Sequence, residues 1–253
     1  MLLPPCLPPD KDFSLSRVEL MWLNFKLAFC AKVAHFYISV YIDPDVNVLA
    51  YAGDGATVDI GLQALSAAAE RRDNIIYVCN DNEGYMNTGF QKSGTTPFGA
   101  NTSTTPVGKK SSGKPNFKKD VAMMLAIQNA AYVATLFPAY MNDFINKVKK
   151  AVTIKNGLVY LQILTPCPTR WGFSPEKSIQ YARMAVQSRY FLLYEYSNFE
   201  FTISAPTKDI KDPLSVSKFI AGQKRFKHLT EDAVTILQQF CDNKWDVLQK
   251  LAQ

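Results

Sequence analysis

The feature that most constrains this fold is a pair of short apolar runs, each ended by a polar cluster. The first run, Val46–Ala52, is followed by Gly-Asp-Gly, and the second, Asn74–Cys79, by Asn-Asp-Asn-Glu-Gly. Nearly continuous apolar runs of this length are typical of strands buried on both faces. The segment between them, Val58–Arg71, is rich in Ala and Leu and predicts a helix. A strand–helix–strand unit of this kind makes a parallel sheet the default arrangement.

The rest of the chain continues to alternate between helices and strands. Further strands are predicted at Tyr132–Leu136 and Leu158–Leu164, and a hairpin at Tyr190–Ser204. A long loop, Gly94–Pro115, is rich in Thr, Ser, Gly and Pro, and such loops in compact domains are usually functional. We expect an α/β fold with a mostly parallel sheet flanked by helices. The predicted helices are Ser14–Ile42, Asp120–Ala131, Ala139–Ala151, Pro175–Gln187 and Glu231–Leu251.

Composition excludes several classes of function. The chain has 253 residues and a net charge of +6, which is too small an excess of base to indicate a nucleic-acid partner. Its 2 histidines leave little material for a multi-histidine metal site. The 5 cysteines are widely spaced and form no C-x-x-C pair, which excludes a dense disulfide framework and a self-contained zinc ribbon. These features favour a reducing compartment, so we expect a cytoplasmic location.

No segment indicates targeting to a membrane. The N-terminus lacks a basic region, and its prolines interrupt any apolar stretch. Leu20–Ile42 is apolar, but it contains Lys26, Lys32 and His35. Each central lysine costs roughly 2.5–3.5 kcal/mol on an insertion scale. We therefore expect a buried or subunit-facing helix here, and no membrane association.

Polar groups follow both strands of the first unit. Asp54 lies within Gly-Asp-Gly, and 26 residues separate Gly55 from Asn82. Because the carboxyl ends of parallel strands meet at one edge of a sheet, we expect the Asp54 carboxylate, the Asn82 amide and the Gly84 carbonyl to lie together. Such oxygens suit Mg²⁺, and the helix N-terminus with its flanking glycines suits a phosphate. Gly-Asp-Gly alone would also fit a simple turn, so the prediction of a cation and phosphate site depends on the whole arrangement.

This arrangement resembles the signature of thiamine-diphosphate enzymes. Three segments are more specific: GDGATVDIGLQALSAAAER, CNDNEGYMNTGFQKSGTTPFGA and TPCPTRWGFSPEKSIQYAR. They are similar to the β subunits of pyruvate:ferredoxin oxidoreductases (pyruvate synthases), within the 2-oxoacid:ferredoxin oxidoreductase family. The similarity is close from Val46 to Arg183 and looser towards the C-terminus.

The resemblance implies a thiamine-diphosphate-binding fold and a role in oxidative decarboxylation. The substrate would be a 2-oxoacid, with pyruvate the first candidate, and the products acyl-CoA and CO₂. Electrons would pass through iron–sulfur clusters to ferredoxin, while coenzyme A takes the acyl group. In this family the glutamate that contacts the cofactor's aminopyrimidine comes from the partner α subunit. The chain is therefore expected to be active only with that α subunit, accompanied by γ and δ subunits.

The resemblance also assigns individual residues. Asp54, the Asn82 side chain and the Gly84 carbonyl match the Mg²⁺ ligands. Asn87 and Thr88 match the edge of the site beside the thiazolium and the substrate carboxylate, and are the candidate catalytic residues. The expected cofactor-binding set, including the diphosphate-binding turn, is Gly53, Asp54, Gly55, Ala56, Asn82, Gly84 and Asn87.

The cysteines depart from the family pattern. Family β subunits hold a 4Fe–4S cluster with four cysteines, and only Cys167, in Cys-Pro-Thr, matches one of them. Cys30 is too near Gly53 to match the third ligand, and Cys6 has no C-x-x-C partner. Because such clusters normally need four thiolates, we expect no intact cluster in this chain. We divide the chain into a divergent or truncated N-terminal segment (1–45), a thiamine-diphosphate-binding domain (46–189) and a C-terminal extension (190–253).

Two other functions stay open at this point. The chain could be a non-catalytic or remnant assembly subunit, or a cluster-free thiamine-dependent decarboxylase or lyase. The lysines from Lys109 to Lys119 predict a solvated loop, with docking of acidic ferredoxin or a partner subunit as the alternative. The loop Gly94–Pro115 is a candidate to reach across the subunit interface. Cys79 and Cys241 are expected to be buried apolar residues.

Overall fold

The chain is described by a computed structural model over residues 48–253, and its main feature is a six-stranded sheet. The strands are β1 (Val48–Gly53), β2 (Ile75–Asp81), β3 (Val107–Gly108), β4 (Ser111–Ser112), β5 (Tyr132–Leu136), β6 (Val159–Leu164), β7 (Tyr194–Ser197) and β8 (Glu200–Ile203). Four strands of the large sheet are parallel and lie in the order β1–β2–β6–β5, and an antiparallel hairpin, β7–β8, extends this sheet beyond β5. A separate two-stranded hairpin, β3–β4, lies in the long loop.

Helices cover both faces of this sheet. The first three are α1 (Leu62–Arg71), α2 (Val121–Ile127) and α3 (Met141–Thr153). They are followed by α4 (Pro168–Trp171), α5 (Ser178–Gln187), α6 (Ala205–Lys208), α7 (Val216–Ile220) and α8 (Glu231–Leu251). One apolar cluster joins α1, α2 and α8 to one face, and another joins α3 to the opposite face. The predicted α/β fold with a mostly parallel, helix-flanked sheet is confirmed.

The expectation that the first strand is buried on both faces is wrong. β1 pairs with β2 alone among the described strands, so it lies at the edge of the sheet. Ala50 is buried beneath the helices, but Leu49 and Tyr51 on the other face are 57% and 65% exposed. A continuous apolar run cannot distinguish a central strand from an edge strand whose outer face is also apolar.

Two predicted helices have different bounds. Residues Ala56–Ile60 form a π-helical turn, closed by a hydrogen bond from the Gly61 N–H to the Ala56 carbonyl (2.7 Å), and α1 begins only afterwards. Turns of this type are rare in proteins, and those that occur are often found at functional sites. α2 ends at Ile127 instead of Ala131, because Asn129 adopts a left-handed conformation with φ of 63°.

The other predictions agree closely or fall outside the description. The strand Tyr132–Leu136 and the helix Glu231–Leu251 have the predicted bounds. The predicted helix Ser14–Ile42 and the apolar stretch Leu20–Ile42 lie outside the described residues. From residue 48 to residue 253, no helix is long and apolar enough to cross a membrane.

Candidate functional site

Parallel pairing brings the two polar clusters together at one edge of the sheet. The register of β1 and β2 pairs Gly53 with Asn80, so Asp54 and Asn82 follow neighbouring strand ends. The terminal amide atom of Asn82 that faces the cluster lies 3.0 Å from Asp54 Oδ1 and 2.7 Å from the Gly84 carbonyl oxygen. The three predicted Mg²⁺ ligands are therefore mutual neighbours in the fold.

These spacings suit a small divalent cation. With the Asn82 nitrogen facing the cluster, it donates hydrogen bonds to Asp54 and Gly84; with its oxygen facing the cluster, three oxygens converge. Adjacent oxygens around Mg²⁺ with bonds of 2.0–2.1 Å are separated by about 2.9 Å. One carboxylate, one amide and one carbonyl then leave several positions for water and phosphate oxygens. The donor set fits Mg²⁺ bound together with a diphosphate.

Asp54 is almost fully buried and held by hydroxyl groups. Ser93 Oγ and Thr95 Oγ1 both donate to its Oδ2, the latter at 2.7 Å. Its other oxygen, Oδ1, faces Asn82. Burial raises the pKa of Asp54 to about 7, and the nearby carboxylate of Asp81 adds to the rise. Such a carboxylate is costly to bury without a cation, which supports a metal-binding role.

The long loop begins in this site. Thr95 lies in the Thr-Thr-Pro motif that helped to define the family resemblance, yet sequence reasoning assigned no site role to it or to Ser93. Thr96 is also buried, and its hydroxyl donates to the Glu83 carbonyl at 2.8 Å. The first residues of the loop thus fold onto the chain's own strand ends.

The Gly-Asp-Gly turn has one open and one closed side. A Cβ added at Gly55 would lie 2.3 Å from the ring of Tyr85, whose hydroxyl donates to the Gly55 carbonyl at 3.0 Å. A Cβ added at Gly53 would meet no atom within 4 Å. Ala56 is half-buried and begins the π-helical turn. A phosphate could approach the backbone closely on the Gly53 side.

Asn87 and Thr88 occupy an exposed turn that follows the segment Asn82–Gly84, called the ligand loop below. Thr88 Oγ1 donates to Gln91 Oε1 at 2.5 Å, and Gln91 Nε2 donates back to the Thr88 carbonyl at 2.8 Å. Tyr85 and Gln91 form a bridge that closes the turn. The two candidate catalytic residues are therefore exposed, whereas Asp54 is buried.

Comparison with known proteins shows relatives that are similar to this chain in sequence and in fold. Residues 24–163 match the family described as "Thiamine pyrophosphate enzyme, C-terminal TPP binding domain". Pyruvate synthase subunit PorB of Methanothermobacter thermautotrophicus is 45% identical over 199 residues, covering 79% of this chain and 68% of that protein. Ketoisovalerate oxidoreductase subunit VorB of Pyrococcus horikoshii is 44% identical over 208 residues, covering 82% of this chain and 66% of that protein.

A solved structure of the same family has a similar fold. The 2-oxoglutarate:ferredoxin oxidoreductase from Magnetococcus marinus matches with a TM-score of 0.51 and 27% identity, covering 61% of this chain. The present chain spans 50% of the length of that one. The chain belongs to the thiamine-diphosphate-binding β subunits of the 2-oxoacid:ferredoxin oxidoreductases.

Cys167, the one cysteine that matches the cluster pattern of this β-subunit family, is half-buried at the start of α4. Within residues 48–253, no group of three or more His, Cys, Asp and Glu side chains is placed to hold a metal ion. Cys79 and Cys241 are buried, as predicted, in β2 and α8. Burial raises the pKa of each of these two thiols to about 12, so they are poor thiolate ligands.

The prediction of a solvated lysine loop is wrong for part of the segment. Lys109 and Lys110 are exposed at the β3–β4 turn, but Lys114 is buried and donates to the carbonyls of Thr96 and, at 3.3 Å, Phe117. Burial lowers the pKa of Lys114 to about 8. The Lys118 side chain is only 8% exposed, and its Nζ lies 2.9 Å from a carboxylate oxygen. These lysines hold the loop against the β-subunit core.

That carboxylate belongs to Glu83, whose burial beside the expected cation ligands was not predicted from the sequence. Glu83 stands between Asn82 and Gly84, and its side chain is fully buried. A lone acidic residue in a polar run gives no sign of burial. The only available signal was its place between two expected ligands.

Proposed function

We propose that this chain binds Mg²⁺ and thiamine diphosphate and serves in the oxidative decarboxylation of a 2-oxoacid, with pyruvate the first candidate. In this proposal Asp54, Asn82 and the Gly84 carbonyl hold the cation, and Gly53–Ala56 approaches the diphosphate. When bound, thiamine diphosphate supplies the electron sink that decarboxylation needs. Asn87 contributes to cofactor binding, and Asn87 and Thr88 face the substrate carboxylate at the edge of the site.

The observation that carries the proposal is the convergence of the Asp54, Asn82 and Gly84 groups. Their spacings of 3.0 and 2.7 Å match neighbouring corners of a Mg²⁺ octahedron. The hydroxyls of Ser93 and Thr95 fix one oxygen of Asp54 and leave the other free to bind the cation. In this proposal the residues of this chain bind and orient the cation, and they exclude water from the Asp54 side of the site.

The partners follow from the same family. We propose that an α subunit completes the cofactor site, that γ and δ subunits accompany it, and that ferredoxin and coenzyme A are the co-substrates. The exposure of Asn87 and Thr88 supports a site shared with another chain. We also propose a cytoplasmic location, because the three described cysteines are all free thiols.

Pyruvate is proposed because pyruvate synthase subunits are among the most similar relatives. Related subunits carry the names of ketoisovalerate and phenylglyoxylate enzymes, so membership of the family does not fix the 2-oxoacid. A substrate pocket shared between chains explains why related β subunits can serve different 2-oxoacids.

The test is turnover by the complex that co-purifies with the full chain. With Mg²⁺, thiamine diphosphate, coenzyme A and ferredoxin, we expect pyruvate-dependent ferredoxin reduction and stoichiometric acetyl-CoA. Ketoisovalerate and 2-oxoglutarate serve as competing substrates, and a preference for either would overturn the assignment to pyruvate. Release of acetaldehyde without acetyl-CoA would indicate a cluster-free decarboxylase. A complex that forms normally but converts none of these substrates would indicate a non-catalytic assembly subunit.

A further inference from the structure

The backbone of Glu83 joins two of the proposed cation ligands in a fixed geometry. Its φ of 68° lies in the left-handed region, which a residue with a side chain rarely adopts. The Glu83 N–H donates to Asp81 Oδ1 at 3.1 Å, and its carbonyl accepts from Thr96 Oγ1 at 2.8 Å. The chain between Asn82 and Gly84 is therefore restrained on both sides.

The Glu83 side chain points into the interior and receives three strong hydrogen bonds. Lys118 Nζ and the Tyr190 hydroxyl donate to Oε1 at 2.9 and 2.7 Å, and Arg225 Nη1 donates to Oε2 at 2.7 Å. Burial alone would raise the pKa of Glu83, but the charges of Lys118 and Arg225 hold it below its usual range. All four side chains are largely or fully buried, so the ligand loop is tied to the interior through charge-assisted bonds.

A second connection runs through Trp171. The Arg225 guanidinium lies 3.7 Å from the centre of the Trp171 ring, and Trp171 Nε1 donates to the Asn82 carbonyl at 2.9 Å. Arg225 is itself oriented by Gln223, whose Oε1 accepts from its Nε at 3.0 Å. Arg225 thus reaches the ligand loop by two routes, directly at Glu83 and through Trp171 at Asn82.

We propose that Glu83 is a positioning residue, which holds Asn82 and Gly84 in their cation-binding arrangement through its bonds to Lys118, Tyr190 and Arg225. By this means residues 190–226, far along the chain, set the affinity for Mg²⁺. Buried ion pairs often contribute little to stability, so a fixed local geometry is a better account of this one. The inference rests on the proposed function, since it concerns the same cation.

The test compares two tyrosine variants of the full chain, each purified in the complex that co-purifies with it. Tyr190→Phe removes one donor to Glu83, whereas Tyr181→Phe removes a donor to the Ala221 carbonyl (2.7 Å), which lies outside the ligand loop. Both tyrosines are similarly buried, at 6% and 7% exposure, and each variant loses one hydroxyl donor. Because only the Tyr190 hydroxyl bonds to a charged group, the melting temperature is measured to separate a loss of stability from a loss of Mg²⁺ affinity. The readouts are calorimetric Mg²⁺ affinity at saturating thiamine diphosphate, melting temperature, and hydrogen–deuterium exchange of residues 80–86 without ligands.

We expect Tyr190→Phe to weaken Mg²⁺ binding by about three- to tenfold, the effect of one hydrogen bond. Tyr190→Phe should also speed hydrogen–deuterium exchange of residues 80–86 in the absence of ligands. Tyr181→Phe should change neither the Mg²⁺ affinity nor this exchange. Glu83→Gln should weaken binding further if it folds. Equal Mg²⁺ affinity and equal exchange in the two tyrosine variants would overturn the inference while leaving the proposed function intact. Failure of the wild-type complex to bind Mg²⁺ and thiamine diphosphate would instead overturn the proposed function, and the inference with it.

Discussion

Asp54 and Asn82 face each other across the ends of two neighbouring parallel strands, with 3.0 Å between Asp54 Oδ1 and the nearest amide atom of Asn82. The pairing of β1 with β2 creates this contact, because the register places Gly53 beside Asn80. When the Asn82 amide turns so that its oxygen faces Asp54 Oδ1, the two oxygens converge on a shared point.

Asp54→Asn should abolish Mg²⁺ binding while preserving the fold. The amide oxygen can still accept the hydrogen bonds of Ser93 and Thr95, so the free energy of unfolding should change by no more than about 1 kcal/mol. The lost negative charge should weaken Mg²⁺ binding by at least about 100-fold, since hard cations depend on carboxylate ligands. Calorimetric titration of the assembled complex in the presence of thiamine diphosphate measures this loss.

Asp59→Asn is the matched control for that charge change. Asp59 lies in the π-helical turn after Gly-Asp-Gly, but its carboxylate pairs with Lys119 at 2.9 Å. We expect it to bind Mg²⁺ as the wild type does. Unchanged affinity in Asp54→Asn, or equal losses in both variants, would show that the cation site is elsewhere.

Gly53→Ala should weaken cofactor binding without affecting stability. A Cβ at Gly53 meets no atom within 4 Å, so the cofactor-free melting temperature should stay unchanged. A diphosphate that approaches this backbone would collide with the methyl group, and the affinity for thiamine diphosphate should fall at least about tenfold. Gly108→Ala in the β3–β4 hairpin is the control, because its Cβ also meets open space. Equal affinities in the two variants would contradict the proposed diphosphate position.

The sequence predicts those parts of the site that depend on local pattern. The apolar runs and the polar residues after them are contiguous in the chain, and parallel pairing then brings Asp54, Asn82 and Gly84 together without further information. The α/β fold was also predictable, because its strand and helix signals are local, whereas the thiamine-diphosphate-binding fold was inferred from the resemblance of three sequence segments. The edge position of β1 was not, since Leu49 and Tyr51 are as apolar as buried residues.

The support behind the site depends on contacts between distant residues. Glu83 and Arg225 are separated by 142 positions, and no periodicity or motif links them. Tyr85 covers Gly55 because the turn after β2 folds back over the turn after β1. Lys114 and Lys118 resembled a solvated run, because composition records charge and gives no information on burial. Such contacts become visible only when the chain is folded.

Cys167→Ser tests whether the chain carries an iron–sulfur cluster. The other described thiols, Cys79 and Cys241, are buried, and burial raises the pKa of each to about 12. We expect anaerobically purified wild-type chain to lack the broad visible absorption of a 4Fe–4S cluster and to contain no stoichiometric iron and sulfide. The variant should be identical to it. Iron and sulfide that are present in the wild type and lost in the variant would show that Cys167 is a ligand.

Acid should remove the stabilising contribution of Asp120. Its Oδ2 lies 2.6 Å from Lys244 Nζ in α8, and its Oδ1 accepts from the Met123 N–H at the start of α2. Burial favours the neutral form, but the charge of Lys244 outweighs it and lowers the pKa of Asp120. A carboxylate with a lowered pKa stabilises the fold above its ordinary pKa, and this contribution disappears as the pH falls through the lowered value.

Asp120→Asn should therefore destabilise the protein at pH 7 by about 1 kcal/mol, and urea titrations should show this difference from wild type shrinking towards pH 3. Asparagine also caps helices well, so this variant isolates the charge. Asp120→Ala removes the cap of α2 as well and should cost about 1 kcal/mol more at either pH. Lys244→Met should reproduce the pH-dependent part alone. If the Asp120→Asn difference is the same at pH 7 and pH 3, the ion pair makes no contribution, and the stabilisation by Asp120 comes from the helix cap.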